Sequence, residues 1–193
     1  MNIDIKSASS IEIKSNLLVT NMSCELFQDA KYFREEAQKE NDFLLKKRYL
    51  RAAIMCFCSS AEAWISTILR INIRNKNLTD SRHLRILRFI EVPNSDMPER
   101  FTVLRVRLYH YLPEVITGNI INWNVNKIDA FENYIELSDM RNQIVHYTTR
   151  SYNDIYGQRL IDLVNDAPQR IFKLFEEYDK IGNSVEIPSW YSK

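Results

Sequence analysis

The chain has 193 residues, 45% of them hydrophobic, so it is long enough for one domain with a substantial core. Its formal net charge is +1, which removes global charge as a sign of nucleic-acid binding, so any basic surface must be local. Three cysteines, Cys24, Cys56 and Cys58, follow no disulfide framework and point to a reduced compartment. With no apolar run of membrane-spanning length and no basic-then-apolar start, the expectation is a soluble, cytoplasmic protein without a signal peptide or membrane partner. Only three glycines, Gly118, Gly157 and Gly182, leave few positive-φ turns, which argues for helices over a hairpin-rich fold.

Residues 1–22 are weakly patterned and read as a loosely structured arm, with Ile11-Glu-Ile13 alternating as a short strand would. Val185-Glu-Ile187 alternates similarly in the tail 181–193, and the two segments could pair. From Ser23, a candidate N-cap, Leu26, Phe27, Ala30, Phe33 and Ala37 recur at helical spacing. Asn41-Asp42 interrupts the pattern or caps the next helix, and 43–73 reads as one long helix. Its segment 52–58 is apolar almost all round, which suits a bundle centre or a subunit interface.

A polar loop at 75–80 precedes a short helix, capped by Asp80 or Ser81, through Phe89. Pro93 ends it, and Ser95 with Glu99 signals another start that runs to about Tyr111, before Pro113. Gly118 and four asparagines make 117–126 a loop. Helix resumes near Lys127 and continues to about Tyr147. After a polar break at 148–153, the stretch 154–180 carries a stripe of Leu160, Leu163, Ala167, Ile171, Leu174, Phe175 and Tyr178, with Pro168 expected to kink or divide it. The expectation is one all-α domain over 23–180: a bundle of about four to six helices, with a helical insertion between the long second helix and the helix at 127–147.

That latter helix carries the densest chemistry. Arg141, Asn142 and His146 lie within six residues, and Asn142 and His146 are i,i+4 and share a helical face, with Ser138 one turn earlier. Leu137, Met140, Ile144 and Tyr147 form a separate stripe suited to the core. Cleaving RNA through its own 2′-hydroxyl requires a proton acceptor, a proton donor and a cation for the phosphorane. Histidine can exchange a proton near neutrality, arginine can grip two phosphate oxygens, and asparagine can orient either. One copy offers one histidine here, so two copies facing across a two-fold axis would complete the set. The plainer reading is also open: Arg141 can pair with Asp139 or Glu136, and Asn142 with His146 can be a satisfied polar pair.

Arg141-Asn142 with His146 resembles the R-N-x-x-x-H form of the HEPN family motif. The surrounding Leu137-x-x-x-Arg141-Asn142-x-Ile144-x-His146 is similar too, and Arg51 to Met55 with Ser60 to Ile65 looks like the family's preceding apolar helix. The resemblance covers roughly 23–180, with only the motif specific. It implies a helical bundle, a homodimer with a composite cleft, and metal-independent endoribonuclease activity in toxin–antitoxin pairs, antiphage defence or RNA processing. Arg141 and His146 carry over as catalytic residues and Asn142 as their polar support. A subclass paired with nucleotidyltransferase antitoxins has tyrosine two places after the histidine; here Thr148 holds that position and Tyr147 is adjacent.

Arg82, Arg85 and Arg88 recur at i,i+3 and are candidate RNA contacts with Tyr147, against the alternative of a solvated charged face. His83, Tyr109, His110 and Tyr111 are candidates for stacking, with packing as the plainer role. Glu62, in the apolar helix, can reach Arg141, and with Ser138 it ranks as a supporting site residue. Cys56 and Cys58 point apart on a helix, and the histidines match no ligand spacing, so neither a metal nor a cofactor is expected. The expected partners are substrate RNA, a second copy and an antitoxin or regulatory protein. The alternatives are a non-catalytic module of the same fold that binds RNA or protein, and a helical subunit that docks on another enzyme.

Overall fold

The computed structural model describes residues 5–182, 185 and 187–192, with side chains for 22–182, 185 and 187–191. It is all-helical: 77% helix, with no strand among the described residues. Helix α1 (Ile5–Lys39) runs through the segment expected to be an arm and through Ile11–Ile13. Ser23 is therefore not an N-cap. It is buried within α1, where its hydroxyl donates to the Ser60 carbonyl at 2.8 Å, and Ser60 answers with a bond to the Ser23 carbonyl at 2.6 Å. This reciprocal pair of small side chains lets α1 lie close along α2 (Phe43–Asn75). Val185, half of the imagined strand pair, is a buried core residue instead.

The break between α1 and α2 is set by Asp42. Its carboxylate accepts the N–H of Leu45 at 2.7 Å, supplying a partner that the first turn of a helix lacks. From there α2 runs without interruption. Contrary to the sequence expectation, it contains a window of 18 residues with mean hydropathy 1.5, long and apolar enough to cross a membrane by length and composition. Half of that window is buried within the bundle. α2 is the central helix, and Ala53, Ile54, Phe57, Ala61, Ile65 and Leu69 are fully enclosed by the other elements. The bundle itself therefore accounts for much of this apolar surface.

α3 (Ser81–Glu91) starts where expected, with Asp80 accepting the N–H of Arg82 at 2.8 Å. The start at Ser95 does not form. The Ser95 hydroxyl turns back to the Arg88 carbonyl at 3.2 Å and closes the end of α3 instead. Helix returns only at α4 (Leu104–Val106), passes through a π-helical turn Arg107–Tyr111 and continues as α5 (Leu112–Thr117). Pro113 does not stop it. In the π turn the N–H of Leu112 bonds back five residues to Arg107, and this wider winding admits the proline that an α-helical register would reject. Gly118, at φ 84, ends the segment.

α6 (Asp129–Val145) carries the motif, α7 (Tyr152–Tyr156) is a short connector, and α8 (Gln158–Ile181) closes the bundle. The expected stripe of α8 is buried in full, and Pro168 does not divide the helix. Lys47 reaches the Gly157 carbonyl at the start of α8, 2.8 Å, and further along both helices Trp64 packs on Phe175 at 4.3 Å. α2 and α8 therefore run in the same direction. α6 runs the other way: Phe131, early in α6, stacks on Tyr178 late in α8 at 4.9 Å, while Glu136 meets Arg170, earlier in α8, at 2.6 Å. The C-terminal end of α6 thus lies toward the end of the bundle where α2 and α8 begin.

Candidate active site

The face of α6 that holds Phe131, Tyr134, Leu137 and Met140 is buried against α2 and α8, which fixes the direction of its remaining side chains. Arg141 leaves that face half-buried and leans on α2, where its Nη2 lies 3.6 Å from Glu62 Oε1. The anticipated Glu62–Arg141 contact is therefore present, but it is shared. Arg107 of the π turn grips the same carboxylate through both arms, Nη2 to Oε1 at 3.0 Å and Nη1 to Oε2. Arg107 is the more enclosed of the two arginines, with 13% of its side chain exposed against 29% for Arg141. Glu62 is held mainly by Arg107, and the longer contact to Arg141 leaves that guanidinium room to engage something else. Arg141 pairs with neither Glu136, which is taken by Arg170 and Arg159, nor Asp139.

Cys58 and Tyr134 form the floor beneath this cluster. The Tyr134 hydroxyl donates to the Cys58 carbonyl at 3.3 Å, and the Cys58 thiol is 3.8 Å from the Leu137 carbonyl. Burial pushes that thiol up to about 12, against the pull of nearby Arg141, so Cys58 is a packing residue and not a nucleophile. Tyr134, fully buried, is likewise raised well above the usual phenol range. Cys56 and Cys58 sit at different depths, one half-buried and one enclosed, in keeping with opposite sides of a helix.

His146 departs from the sequence geometry. It is not a helical residue but the C-cap of α6, at φ −106 and ψ 47, and its N–H still bonds the Asn142 carbonyl at 2.9 Å. Asn142, His146 and Tyr147 are all exposed. Tyr147, 51% exposed, is therefore outside the core stripe in which periodicity places it, because the helix that would turn it inward has ended. Ser138 is buried at 3% exposure and cannot meet a ligand. The motif resolves into three layers: a buried Ser138, a half-buried Arg141 on Glu62, and an exposed Asn142 with a histidine freed from helical geometry. Arg141 is directed to Glu62 on α2 and His146 is exposed at the C-cap five residues on, so one short segment carries a group suited to grip an anionic oxygen and a group suited to move a proton.

The α3 arginines are not part of this arrangement. Arg82, Arg85 and Arg88 are exposed along α3, which is tied to the far end of α2 by Arg74–Glu91 at 2.6 Å. Arg82 is bonded to Glu114. Among the aromatic candidates, Tyr109 is enclosed and donates to Glu132 at 2.9 Å, Tyr111 donates to the Glu99 carbonyl at 2.8 Å, and His83 is buried. Among the described residues no three His, Cys, Asp or Glu side chains gather into a metal-ligand set.

Sequence reasoning missed two cations at the motif end of the bundle. Lys47 is 2% exposed, and its ammonium donates to the Gly157 carbonyl; burial first, then Lys46 and Arg51, lower its affinity for a proton. Arg51 lies over the Tyr156 ring at 5.4 Å, and its Nη1 is buried without a hydrogen-bond partner among the described residues. The available signal was the run Lys46-Lys47-Arg48 at the start of an otherwise apolar helix, too polar to be placed there by hydrophobicity alone.

Comparison of the chain with family models, with curated proteins and with solved structures returns no match.

Proposed function

We propose that this protein is a HEPN-type, metal-independent endoribonuclease that works as a cytosolic homodimer, restrained by an antitoxin or regulatory partner, in toxin or antiphage defence. The observation that supports the reading is the succession of Arg141, Asn142 and His146 over the last turn and C-cap of one helix in an all-α bundle, with Asn142 and His146 exposed and Arg141 half-buried at a 3.6 Å contact to Glu62. In the reaction the substrate's 2′-oxygen bonds to the adjacent phosphorus as the bond from phosphorus to the 5′-oxygen breaks. One imidazole takes the 2′-hydroxyl proton, and the His146 of a second copy returns a proton to the leaving 5′-oxygen. Arg141 holds the negative phosphorane oxygens, an electrostatic role that guanidinium geometry suits. Asn142 hydrogen-bonds the phosphate or the imidazole. Products carry a 2′,3′-cyclic phosphate and a 5′-hydroxyl.

A purified-protein cleavage assay on tRNA, rRNA and mRNA, with EDTA present, tests the reading beside His146→Ala and Arg141→Ala. Wild type is expected to cut and both variants to lose at least about 100-fold in rate, the low end for removing an acid–base group. Equal cutting by all three contradicts it. The salt contact between Arg141 and Glu62 favours a second reading, in which Arg141 is structural and the domain binds RNA or protein without turnover. That reading predicts no cleavage and an RNA affinity that survives His146→Ala.

A further inference from the structure

Between α3 and the helical segment 104–117 the surface opens into a cavity of about 430 Å³. Three guanidinium groups line it, Arg82 and Arg85 from the first turns of α3 and Arg100 from the following loop, with His110 of the π turn, Tyr111 and one carboxylate, Glu99. Arg82 is matched by Glu114. Arg85 and Arg100 form no ion pair among the described residues. Two unmatched guanidinium groups facing one cavity repel each other, and an anion between them would turn that repulsion into two charge-assisted contacts.

The loop that presents Arg100 is fixed in an unusual shape. Arg100 has φ 60, in the left-handed region, where a residue with a Cβ is strained; the two other non-glycine residues there among the described residues are Asn77 and Asn94, the type that tolerates it. The loop is pinned on both sides of Arg100: the Tyr111 hydroxyl bonds the Glu99 carbonyl at 2.8 Å, and Phe101 is buried against Phe89 and Tyr111. His110 completes the wall, its ring stacked on Trp123 at 4.7 Å. Burial first, then the charge of Arg100, lowers its affinity for a proton, so the neutral ring offers one donor and one acceptor.

We propose that this cavity binds a terminal phosphomonoester carried by a nucleoside, with Arg85 and Arg100 gripping the phosphate and Arg82 and His110 completing the shell. A phosphomonoester brings close to two negative charges and three acceptor oxygens, matching two guanidinium forks. The volume falls in the range of small-ligand sites, about 300–1,000 Å³, so it has room for more than a bare phosphate. The His110 ring in its wall, backed on one face by Trp123, offers a flat surface for an aromatic base. The phosphate can come from a free nucleoside monophosphate or from the 5′-phosphorylated end of an RNA strand. The site is separate from Arg141 and His146, and the proposal stands whether or not the protein cuts RNA.

Isothermal titration calorimetry of the full chain tests it with AMP, adenosine, and two 2′-O-methyl oligonucleotides of one sequence, one 5′-phosphorylated and one with a 5′-hydroxyl. The same titrations are made on Arg85→Ala and Arg100→Gly. The glycine suits the positive φ and removes the guanidinium, so Arg100→Gly should melt no lower than wild type. AMP is expected to bind at least tenfold tighter than adenosine, and each variant to weaken AMP at least tenfold. A preference for the phosphorylated strand over its hydroxyl twin identifies an RNA end as the source; binding of AMP without that preference identifies a free nucleotide. Adenosine binding as tightly as AMP, binding of neither AMP nor the phosphorylated strand, or wild-type affinity in both variants overturns the proposal.

Discussion

Arg141 and Arg85 look alike in the sequence, each an arginine on a predicted helix beside other polar residues, yet the fold gives them different surroundings. Arg141 is folded back against the central helix and shares Glu62 with Arg107. Arg85 stands on the rim of an open cavity with no carboxylate partner among the described residues. What an arginine can bind is decided by which carboxylates reach it from other elements, and those elements are far away in sequence. Glu62 lies 79 positions before Arg141 and Arg107 lies between them, so no local pattern reveals that one carboxylate serves two guanidinium groups.

The comparison is sharpened first through activity. His146→Ala should abolish cleavage, by at least about 100-fold, while leaving the thermal midpoint within a degree or two, because an exposed C-cap side chain supports little of the fold. A large loss of stability in the same variant would show that the residue is structural. Next comes Glu62→Ala, which leaves Arg107 and Arg141 half-buried without their shared carboxylate. Urea unfolding should register a loss of about 2 kcal/mol, whereas Arg85→Ala should stay within about 0.5 kcal/mol of wild type. Equal effects would erase the distinction between the two regions.

A smaller effect concerns Lys47, a buried cation with no carboxylate partner among the described residues. Burial holds its folded-state proton affinity below that of the unfolded chain, so between the lowered value and 10.5 the unfolded state binds the extra proton. Stability contributed by this group therefore rises with pH through that window and is at its lowest below it. Melting curves from pH 7 to 10 should show wild type gaining on Lys47→Met as pH rises. A difference that stays flat or shrinks would contradict the burial of a charged amine at this position.

Much of the bundle is legible in the sequence because the helices that build it bury regular stripes. Asp42 and Asp80 cap where their side-chain chemistry predicts, and every residue of the α8 stripe is enclosed. The misreadings share one cause, a local signal used differently by a distant neighbour. Ser23 looks like a cap but bonds across to Ser60, Ser95 looks like a helix start but seals the end of α3, and Pro113 looks like a stop but sits after a π turn. At the candidate site the expected Glu62–Arg141 contact is present, whereas the competing grip of Arg107 on the same carboxylate has no local signal. The end of α6 one residue before His146 has none either, since no glycine or proline marks it; the helix stops where its packing on α2 and α8 gives out and a run of exposed residues begins.

End-group analysis of the RNA products tests the central claim most directly. Wild-type protein in EDTA should leave 2′,3′-cyclic phosphate and 5′-hydroxyl ends, and His146→Ala should leave none. Products with 5′-phosphate and 3′-hydroxyl ends, or cyclic phosphate ends undiminished in His146→Ala, would contradict an Arg141–His146 site that works through the 2′-hydroxyl.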